Sequence, residues 1–339
     1  MSDDGLKLTV YFGERDRAGR RFLADALIDV FAAHALRTSL LLRGTTGFGP
    51  SQALRTDRLL TLSEDLPLVA LAVDERERVS AALRDVEALR FDGLITLERA
   101  RLAPAEADGD ATKLTVYVGR GEQAGARPVH ESIVDELRRH GVAGATVLLG
   151  VDGTAHGERR RARLAGRNAA VPVMVVSVGE HERIAAALPA LGRMLARPLL
   201  TWERVRVCKR DGVRLAPPRP VPEHDPSGMA PWQKLMVYAS EQSRHRGHPL
   251  YSELVHRLRA AGASGATTLR GIWGYHGDHA PHGDRLWQLR RRVPVLTVIV
   301  ETAAKADRAF AIVDELTEET GLVTSEIVPA AQPRLASPR

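Results

Sequence analysis

The strongest constraint on how this chain can fold is that its sequence repeats itself three times. A strand-like motif opens each copy. It reads Lys-Leu-Thr-Val-Tyr, Lys-Leu-Thr-Val-Tyr and Lys-Leu-Met-Val-Tyr at residues 7–11, 113–117 and 234–238. The tyrosines that end these motifs are expected in a core or at an interface. They are Tyr11, Tyr117 and Tyr238. A chain of this kind folds as similar units that bury each other's open faces.

Three further landmarks follow each opening motif at nearly constant spacing. They are a Gly-x-x-Gly pair (Gly44/Gly47, Gly150/Gly153, Gly271/Gly274), an Arg-Leu pair ahead of a proline (Arg58, Arg163, Arg285) and a late Thr-x-Glu (Thr96/Glu98, Thr201/Glu203, Thr324/Glu326). The 339 residues suffice for three domains of about 100 residues each. We predict domains at residues 5–102, 112–208 and 232–330, with a proline-rich linker over residues 209–231.

Within each copy the apolar pattern predicts strand, helix, strand, loop, strand, helix and strand. Residues 6–13 alternate as a strand does, and Leu250, Leu254 and Leu258 recur at helical spacing. The order βαββαβ is that of the ferredoxin-like α+β fold, in which both helices cover one face of an antiparallel sheet. The predicted loop over residues 47–66 exceeds about 12–15 residues, a length that usually marks a functional segment.

Composition indicates a globular chain without a membrane span. Hydrophobic residues make up 44% and charged residues 27%, and the longest apolar runs, residues 171–178 and 293–300, fall far short of the roughly 20 residues that a span needs. The start is acidic and lacks the apolar segment of a secretory signal. A single cysteine, Cys208, excludes an intrachain disulfide framework. We therefore expect a cytoplasmic protein.

The net charge of +6 comes largely from the middle copy, where arginines are dense over residues 159–167. Such a run suits either a solvated loop or contact with phosphate or an acidic partner. We expect no nucleic-acid partner.

The first copy carries the most specific family signal. It contains Leu-Arg-Gly-Thr-Thr-Gly-Phe-Gly at residues 42–49 and Arg-Leu-Leu-Thr-Leu-Ser-Glu-Asp-Leu-Pro at residues 58–67. These segments resemble an uncharacterised PII-like family, the domain of unknown function 190, whose genes are sometimes found near fluoride exporters. PII proteins are trimers of ferredoxin-like subunits that bind adenine nucleotides between subunits and signal through a long loop. The resemblance implies a covalent pseudo-trimer that acts as a monomer.

The resemblance also implies site residues. The base of the long loop, Gly47-Phe48-Gly49 with Gly44 and Arg58 nearby, would lie against a bound anion. Paired arginines follow the last strand in two copies, at Arg99/Arg101 and Arg204/Arg206, whereas the third copy has Ile327-Val-Pro329. The lysine-bearing turn of PII proteins has no counterpart here, so at most some of the clefts are expected to bind a nucleotide.

A second interpretation is metal binding by the third copy. His276, His279 and His282 lie at intervals of three in a Gly/Pro-containing segment, and imidazoles could hold zinc, copper or nickel. Their side chains can converge, but the spacing does not force them to.

Enzyme motifs are missing from the sequence. It contains no Gly-x-Ser-x-Gly elbow and no P-loop. We therefore predict a non-enzymatic PII-like sensor or regulatory protein that binds a small anionic ligand, such as an adenine nucleotide, between copies and signals through its loops. Metal binding is the alternative. A membrane transporter such as a fluoride exporter is the partner that the resemblance implies.

Overall fold

The computed structural model of the chain describes residues 4–57, 65–102, 111–155, 158–159, 171–195, 199–276, 282–283 and 293–333. Each repeat has four long strands and two helices, with short strands between them. In the first repeat the elements are β1 (Asp4–Gly13), β2 (Arg17–Ala18), β3 (Arg21–Phe22), α1 (Leu23–Ala33), β4 (Thr38–Phe48), β5 (Arg55–Thr56), β6 (Pro67–Glu75), α2 (Arg76–Ala88) and β7 (Leu94–Arg101).

The second and third repeats follow the same order. The second contains β8 (Ala111–Gly119), β9 (Gln123–Ala124), β10 (Arg127–Pro128), α3 (Val129–Arg139), β11 (Gly144–Leu149), β12 (Asp152–Ala155), β13 (Glu158–Arg159), β14 (Pro172–Gly179), α4 (His181–Met194), β15 (Leu199–Arg210) and β16 (Val213–Arg214). The third contains β17 (Ala230–Ser240), β18 (Arg244–His245), β19 (His248–Pro249), α5 (Leu250–Ala260), β20 (Ala266–Arg270), β21 (Trp273–His276), β22 (His282–Gly283), β23 (Pro294–Thr302), α6 (Ala303–Leu316) and β24 (Leu322–Ala331). The predicted mixed α+β architecture in three tandem repeats is confirmed.

The four long strands of each repeat pair antiparallel in one spatial order. In the first repeat this order is β4, β6, β1 and β7, and the other two repeats use the corresponding strands. One face of each sheet carries both helices because the helices are amphipathic. In α3, for example, Val129, Ile133 and Leu137 are buried at helical spacing. Each repeat thereby has its own helix-side core.

The opposite faces of the three sheets meet in one further core. It draws buried residues from all three repeats, among them Leu71, Val176 and Val298. The sheets also join edge to edge into a single 18-stranded sheet. The end of β4 pairs with β20, β21 pairs with β11, and β12 pairs with β4. In each repeat, the end of the second long strand or the short strand after it therefore pairs with the second long strand of another repeat.

The last strands of the repeats converge in a cyclic pattern as well. Arg101 on β7 pairs with Trp202 on β15, Arg206 on β15 pairs with Ser325 on β24, and Ala330 on β24 pairs with Thr96 on β7. Each repeat thus contacts both of the others along one central line. These pairings bring the three Thr-x-Glu motifs together at the centre.

Two boundaries differ from the sequence-based expectation. Strand β4 continues to Phe48, because Gly47 and Phe48 pair with β20 of the third repeat, so the long loop starts later than residue 47. Strand β15 runs to Arg210 and forms a hairpin with β16, so the segment predicted as linker begins inside a strand. Among the described residues, no helix is long and apolar enough to cross a membrane.

Candidate functional site

The charged residues that recur in all three repeats meet at the centre of the molecule. Each opening lysine lies directly opposite the glutamate of its own repeat's Thr-x-Glu motif on the neighbouring strand. All six side chains are nearly inaccessible to solvent. We call this set the Lys–Glu ring; it consists of Lys7, Lys113, Lys234, Glu98, Glu203 and Glu326.

Each lysine of the ring joins the glutamate of its own repeat to a glutamate of another. The Lys7 Nζ lies 2.6 Å from Glu98 and 2.7 Å from Glu203. The Lys113 Nζ lies 2.7 Å from Glu203 and 2.5 Å from Glu326. The Lys234 Nζ closes the circle, 3.3 Å from Glu326 and 2.8 Å from Glu98. Positive and negative groups therefore alternate around the centre.

Mutual attraction favours the charged forms of Lys7, Lys113 and Glu98 despite their burial. Burial disfavours the ammonium group of Lys7, but the carboxylates of Glu203 and Glu98 outweigh that effect and raise the pKa of Lys7 above its ordinary value. Burial likewise disfavours the carboxylate of Glu98, and the three lysines nevertheless hold the pKa of Glu98 well below its ordinary value. Lys113 has a raised pKa for the same reasons as Lys7, with Glu203 as its strongest favourable partner.

The Lys–Glu ring links the three repeats through ion pairs and is not suited to binding a metal ion. Its carboxylate oxygens lie within 4.8 Å of one another, a spacing at which three carboxylates could ligate a cation. The lysine ammonium groups occupy contact distances to all three carboxylates, so a metal ion would have to displace them. The sequence signal for the ring was the lysine of the opening motif and the glutamate of the Thr-x-Glu motif, which recur at matching places in all three repeats.

The three glutamates of the Lys–Glu ring also line a pocket of about 530 Å³. Its walls carry all four arginines that the sequence analysis selected from the last strands, together with one from the connector between the second and third repeats. We call it the arginine pocket; its arginines are Arg99, Arg101, Arg204, Arg206 and Arg219. The four selected arginines therefore line one pocket, and none of them lines the crevice beside Gly49.

The third side of the arginine pocket is apolar. Ile327 and Pro329 stand where the other two repeats carry their arginine pairs. Two acidic groups lie close to the cationic side: Asp4 lines the pocket, and the carboxylate of Asp225 accepts a hydrogen bond of 2.7 Å from Arg99. The pocket thus has a cationic side and an apolar side.

The glycines at the base of the first repeat's loop have a packing role. Gly44, Gly47 and Phe48 are buried, and a Cβ on Gly47 would come within 2.5 Å of the Ala266 carbonyl oxygen in the third repeat. Phe48 lies in the third repeat's core. The backbone of Gly47 pairs with β20 and β5, so this part of the loop base is engaged in strand pairing. Any contact of these residues with a ligand stays a prediction.

Gly49 and Arg58 complete that predicted set. Gly49 is half-buried at the lip of a narrow crevice beside Arg55. Arg58 lies outside the described residues, and its role stays a prediction.

The same close approach occurs at the other two junctions between repeats. A Cβ on Gly153 would lie 2.1 Å from the Ser39 carbonyl oxygen, and one on Gly274 would lie 2.2 Å from that of Ala145. Both glycines have φ near +150°, a conformation that L side chains rarely adopt. At the Gly274 junction, the Tyr275 hydroxyl donates a hydrogen bond of 2.8 Å to the Val142 carbonyl oxygen. The Gly-x-x-Gly landmark therefore marks where one repeat docks on another.

A larger opening, of about 890 Å³, lies between the second and third repeats. The second repeat contributes the end of α3, the following loop and Arg183, while the third contributes Tyr238, Tyr275 and the start of β24. We call it the inter-repeat cleft. It is lined by both arginines and acidic residues; the arginines are Arg138, Arg139, Arg183 and Arg210, and the acidic residues are Asp135, Glu180 and Asp211.

The arginines of the inter-repeat cleft differ in how they are paired. Arg183 bonds to Glu180 at 2.8 Å and Arg139 forms an ion pair with Glu136. The Arg210 Nε is buried and has no hydrogen-bond partner among the described residues. A buried donor without an acceptor costs free energy, and an anionic ligand in the cleft would supply that acceptor.

The predicted metal residues are only partly described. His276 ends β21 and His282 begins β22, whereas His279 lies outside the described residues and the side chains of the other two are not described either. Metal binding by these three histidines stays a prediction.

Solved structures with similar elements are distant. An aspartate kinase from Synechocystis is 13% identical, with 95% of this chain and 43% of the kinase covered at a TM-score of 0.25. The regulatory subunit of aspartate kinase from Thermus thermophilus is 13% identical, with 57% of this chain and 94% of that subunit covered at a TM-score of 0.28. Scores this low carry no argument about fold or ligand.

Sequence relationships are much clearer. A UPF0166 protein of Aquifex aeolicus (strain VF5) is 33% identical over 95 residues, which cover 28% of this chain and 88% of that protein. The relative thus corresponds in length to one repeat. The model of the family DUF190 (Uncharacterized ACR) matches residues 5–102, 111–207 and 232–330. The predicted relationship is confirmed: the chain belongs to the DUF190 family and carries three tandem copies of its domain.

Proposed function

We propose that this chain is a non-enzymatic PII-like sensor or regulatory protein. In this proposal its three ferredoxin-like repeats form an intrachain pseudo-trimer, and a small anionic ligand binds in the inter-repeat cleft. Adenine nucleotides are the first ligand class to test, because the family resemblance implies them. The cyclic strand pairing and the Lys–Glu ring support the pseudo-trimer, since every repeat uses the same contacts toward its neighbours.

The observation that carries the ligand proposal is the partnerless Nε of Arg210 in a cleft of about 890 Å³. Ligand sites for small molecules usually measure about 300–1,000 Å³, so the cleft is large enough for a nucleotide. Arg138 is exposed at the end of α3 and could approach a phosphate from the second repeat. Tyr275 and Tyr238 line the same cleft, but both are nearly inaccessible to solvent, so the proposal rests on the arginines.

The test is calorimetric titration of ATP, ADP and AMP into the whole chain. Arg210→Ala and Arg138→Ala should each weaken binding about tenfold, because a hydrogen bond to a charged group contributes about 1.5–3 kcal/mol. Arg84→Ala is the matched control, since Arg84 is exposed on α2 and lines neither pocket. No binding of any of the three nucleotides, or equal affinity in all variants, would show that the cleft is not the nucleotide site.

Two further parts of the proposal have their own tests. Light scattering should give the mass of one 37.0 kDa chain, and an obligate trimer of this chain would contradict the intrachain pseudo-trimer. A membrane transporter such as a fluoride exporter is proposed as the partner by family resemblance alone. It should co-purify with the tagged chain in a manner that responds to the bound nucleotide.

A further inference from the structure

We infer that the proline-rich segment beginning at the end of β16 is a docking surface for a protein domain of the SH3 type, with a groove that is aromatic along its length and acidic at one end. The segment spans residues 214–222 and reads Arg-Leu-Ala-Pro-Pro-Arg-Pro-Val-Pro. It contains the spacing Arg-x-x-Pro-x-x-Pro, and aromatic-lined grooves bind such extended proline-rich segments. None of these residues lines the inter-repeat cleft, so the inference goes beyond the proposed function.

The backbone of this segment is already extended. Residues 215–222 belong to no helix or strand, and none of them has a positive φ. Half of them are prolines, whose ring fixes φ at about −65° and disfavours helical geometry in the residue before. The amides of Leu215 and Ala216 donate to the Cys208 carbonyl oxygen, at 2.9 and 3.3 Å, which fixes the start of the segment against β15. A segment held in an extended form loses little conformational entropy when a partner binds it.

One edge of the segment is open to a partner. A polyproline II helix has about three residues per turn, so residues three apart follow one another along one edge. Arg214, Pro217 and Pro220 have this spacing and all three are exposed, whereas Pro218 and Val221, one position further on, are half-buried. We call the exposed edge the proline ridge; it consists of Arg214, Pro217 and Pro220. The segment therefore presents to solvent the edge that a groove would contact.

The first end of the proline ridge carries both apolar surface and charge. Val213 and Leu215, on either side of Arg214, are 61% and 55% exposed, more than any other large apolar side chain in the described part of the chain. The Arg214 guanidinium lies 5.3 Å from the centre of the Phe310 ring and 3.6 Å from the Asp314 carboxylate. An exposed ion pair of this kind contributes little to stability, so a carboxylate of the partner can replace Asp314. Apolar side chains and a positive charge at the same end therefore fit a groove with an acidic group at one end.

The experiment titrates the whole chain, by calorimetry, with a set of isolated SH3 domains that accept Arg-x-x-Pro-x-x-Pro ligands. The variants are Pro217→Ala/Pro220→Ala and Arg214→Gln. Pro226→Ala is the matched control, because Pro226 is an exposed proline of the same connector outside the ridge.

We expect at least one domain of the set to bind, with one domain per chain. Its affinity should fall by about tenfold or more in the double variant, which removes both prolines that enter the groove. It should fall by about threefold or more in Arg214→Gln, since a charge at the rim contributes less than a contact in the groove. Pro226→Ala should stay within about twofold of the wild type.

Four results would overturn the proposal. They are no binding of any domain of the set to the wild type, unchanged affinity in Pro217→Ala/Pro220→Ala, a loss in Pro226→Ala as large as in the double variant, and unchanged affinity in Arg214→Gln. The last would reject the acidic end of the groove and with it the type of domain. Urea denaturation of each variant checks that lost binding does not reflect lost folding. For a double variant that unfolds, Pro220→Ala alone replaces it, and unchanged affinity there would also count against the ridge.

Discussion

Removing one cation from the Lys–Glu ring should destabilise the whole molecule. Lys113 is the most enclosed lysine of the ring, with 1% of its side chain exposed, and it lies 2.7 Å from Glu203 and 2.5 Å from Glu326. At an effective dielectric constant of about 20, charges at this separation attract by about 6 kcal/mol. Desolvation of the ammonium group offsets part of that attraction, so we expect Lys113→Met to lower the free energy of unfolding by about 3–5 kcal/mol at pH 7.

The charge balance of the ring gives this prediction a matched control. Lys113→Met leaves three carboxylates facing two ammonium groups, whereas Lys113→Met/Glu203→Gln restores equal numbers. The double variant should therefore be more stable than Lys113→Met by at least about 1 kcal/mol, a coupling of the size that residues in contact show. Urea denaturation of the whole chain measures both values, and the shift in midpoint gives the change in stability.

The effect of Lys113→Met should also depend on pH in a definite direction. In the wild type, attraction to the lysines lowers the pKa of Glu98 and Glu326, so their stabilising contribution is present above the unfolded value of about 4.3 and is lost as pH falls through the folded value. With one lysine removed, a glutamate of the ring can take up a proton as pH falls. The difference between variant and wild type should then shrink between pH 7 and pH 5.

Three results would refute this reasoning. The first is a loss below about 1 kcal/mol in Lys113→Met at pH 7. The second is a double variant no more stable than the single one, and the third is a difference that grows toward pH 5. Any of them would mean that the ring does not hold the repeats together through its balance of charge.

Two further predictions concern packing. Gly153→Val should lower the free energy of unfolding by about 3 kcal/mol or more, because its Cβ would lie 2.1 Å from the Ser39 carbonyl oxygen. The control is Gly192→Ala, which should raise the free energy of unfolding by about 1 kcal/mol, because Gly192 is an exposed residue of α4 with open space around it. Equal urea midpoints for the two variants would contradict the docking role of Gly153. Burial raises the pKa of the Cys208 thiol to about 11, so at pH 8 the native chain should react with a thiol reagent far more slowly than the urea-unfolded chain, and equal rates would place Cys208 at the surface.

Local patterns in the sequence were sufficient for the repeats and their elements. Alternation and helical spacing act over a few residues, so residues 6–13 were readable as a strand and Leu250, Leu254 and Leu258 as one side of a helix without knowledge of the fold. The arginine pairs were readable for the same reason, because Arg99 and Arg101 share a strand face wherever the strand lies. The comparison among the three copies then located the lysines, glutamates and glycines that recur.

The sequence did not indicate what these recurring residues contact, because their partners lie in other repeats. Lys7 meets Glu203, which is 196 residues away along the chain, and Gly47 faces Ala266. Neither partner is marked by any spacing within a repeat. The same glycine pattern serves a phosphate or a neighbouring strand equally well, because both need only backbone without a side chain in the way. The sequence by itself therefore determined three αβ units and the residues that recur in them. Only the tertiary structure, through long-range strand pairing, decided that the glycines dock repeats, that the lysines and glutamates close a ring, and that the arginines share one pocket.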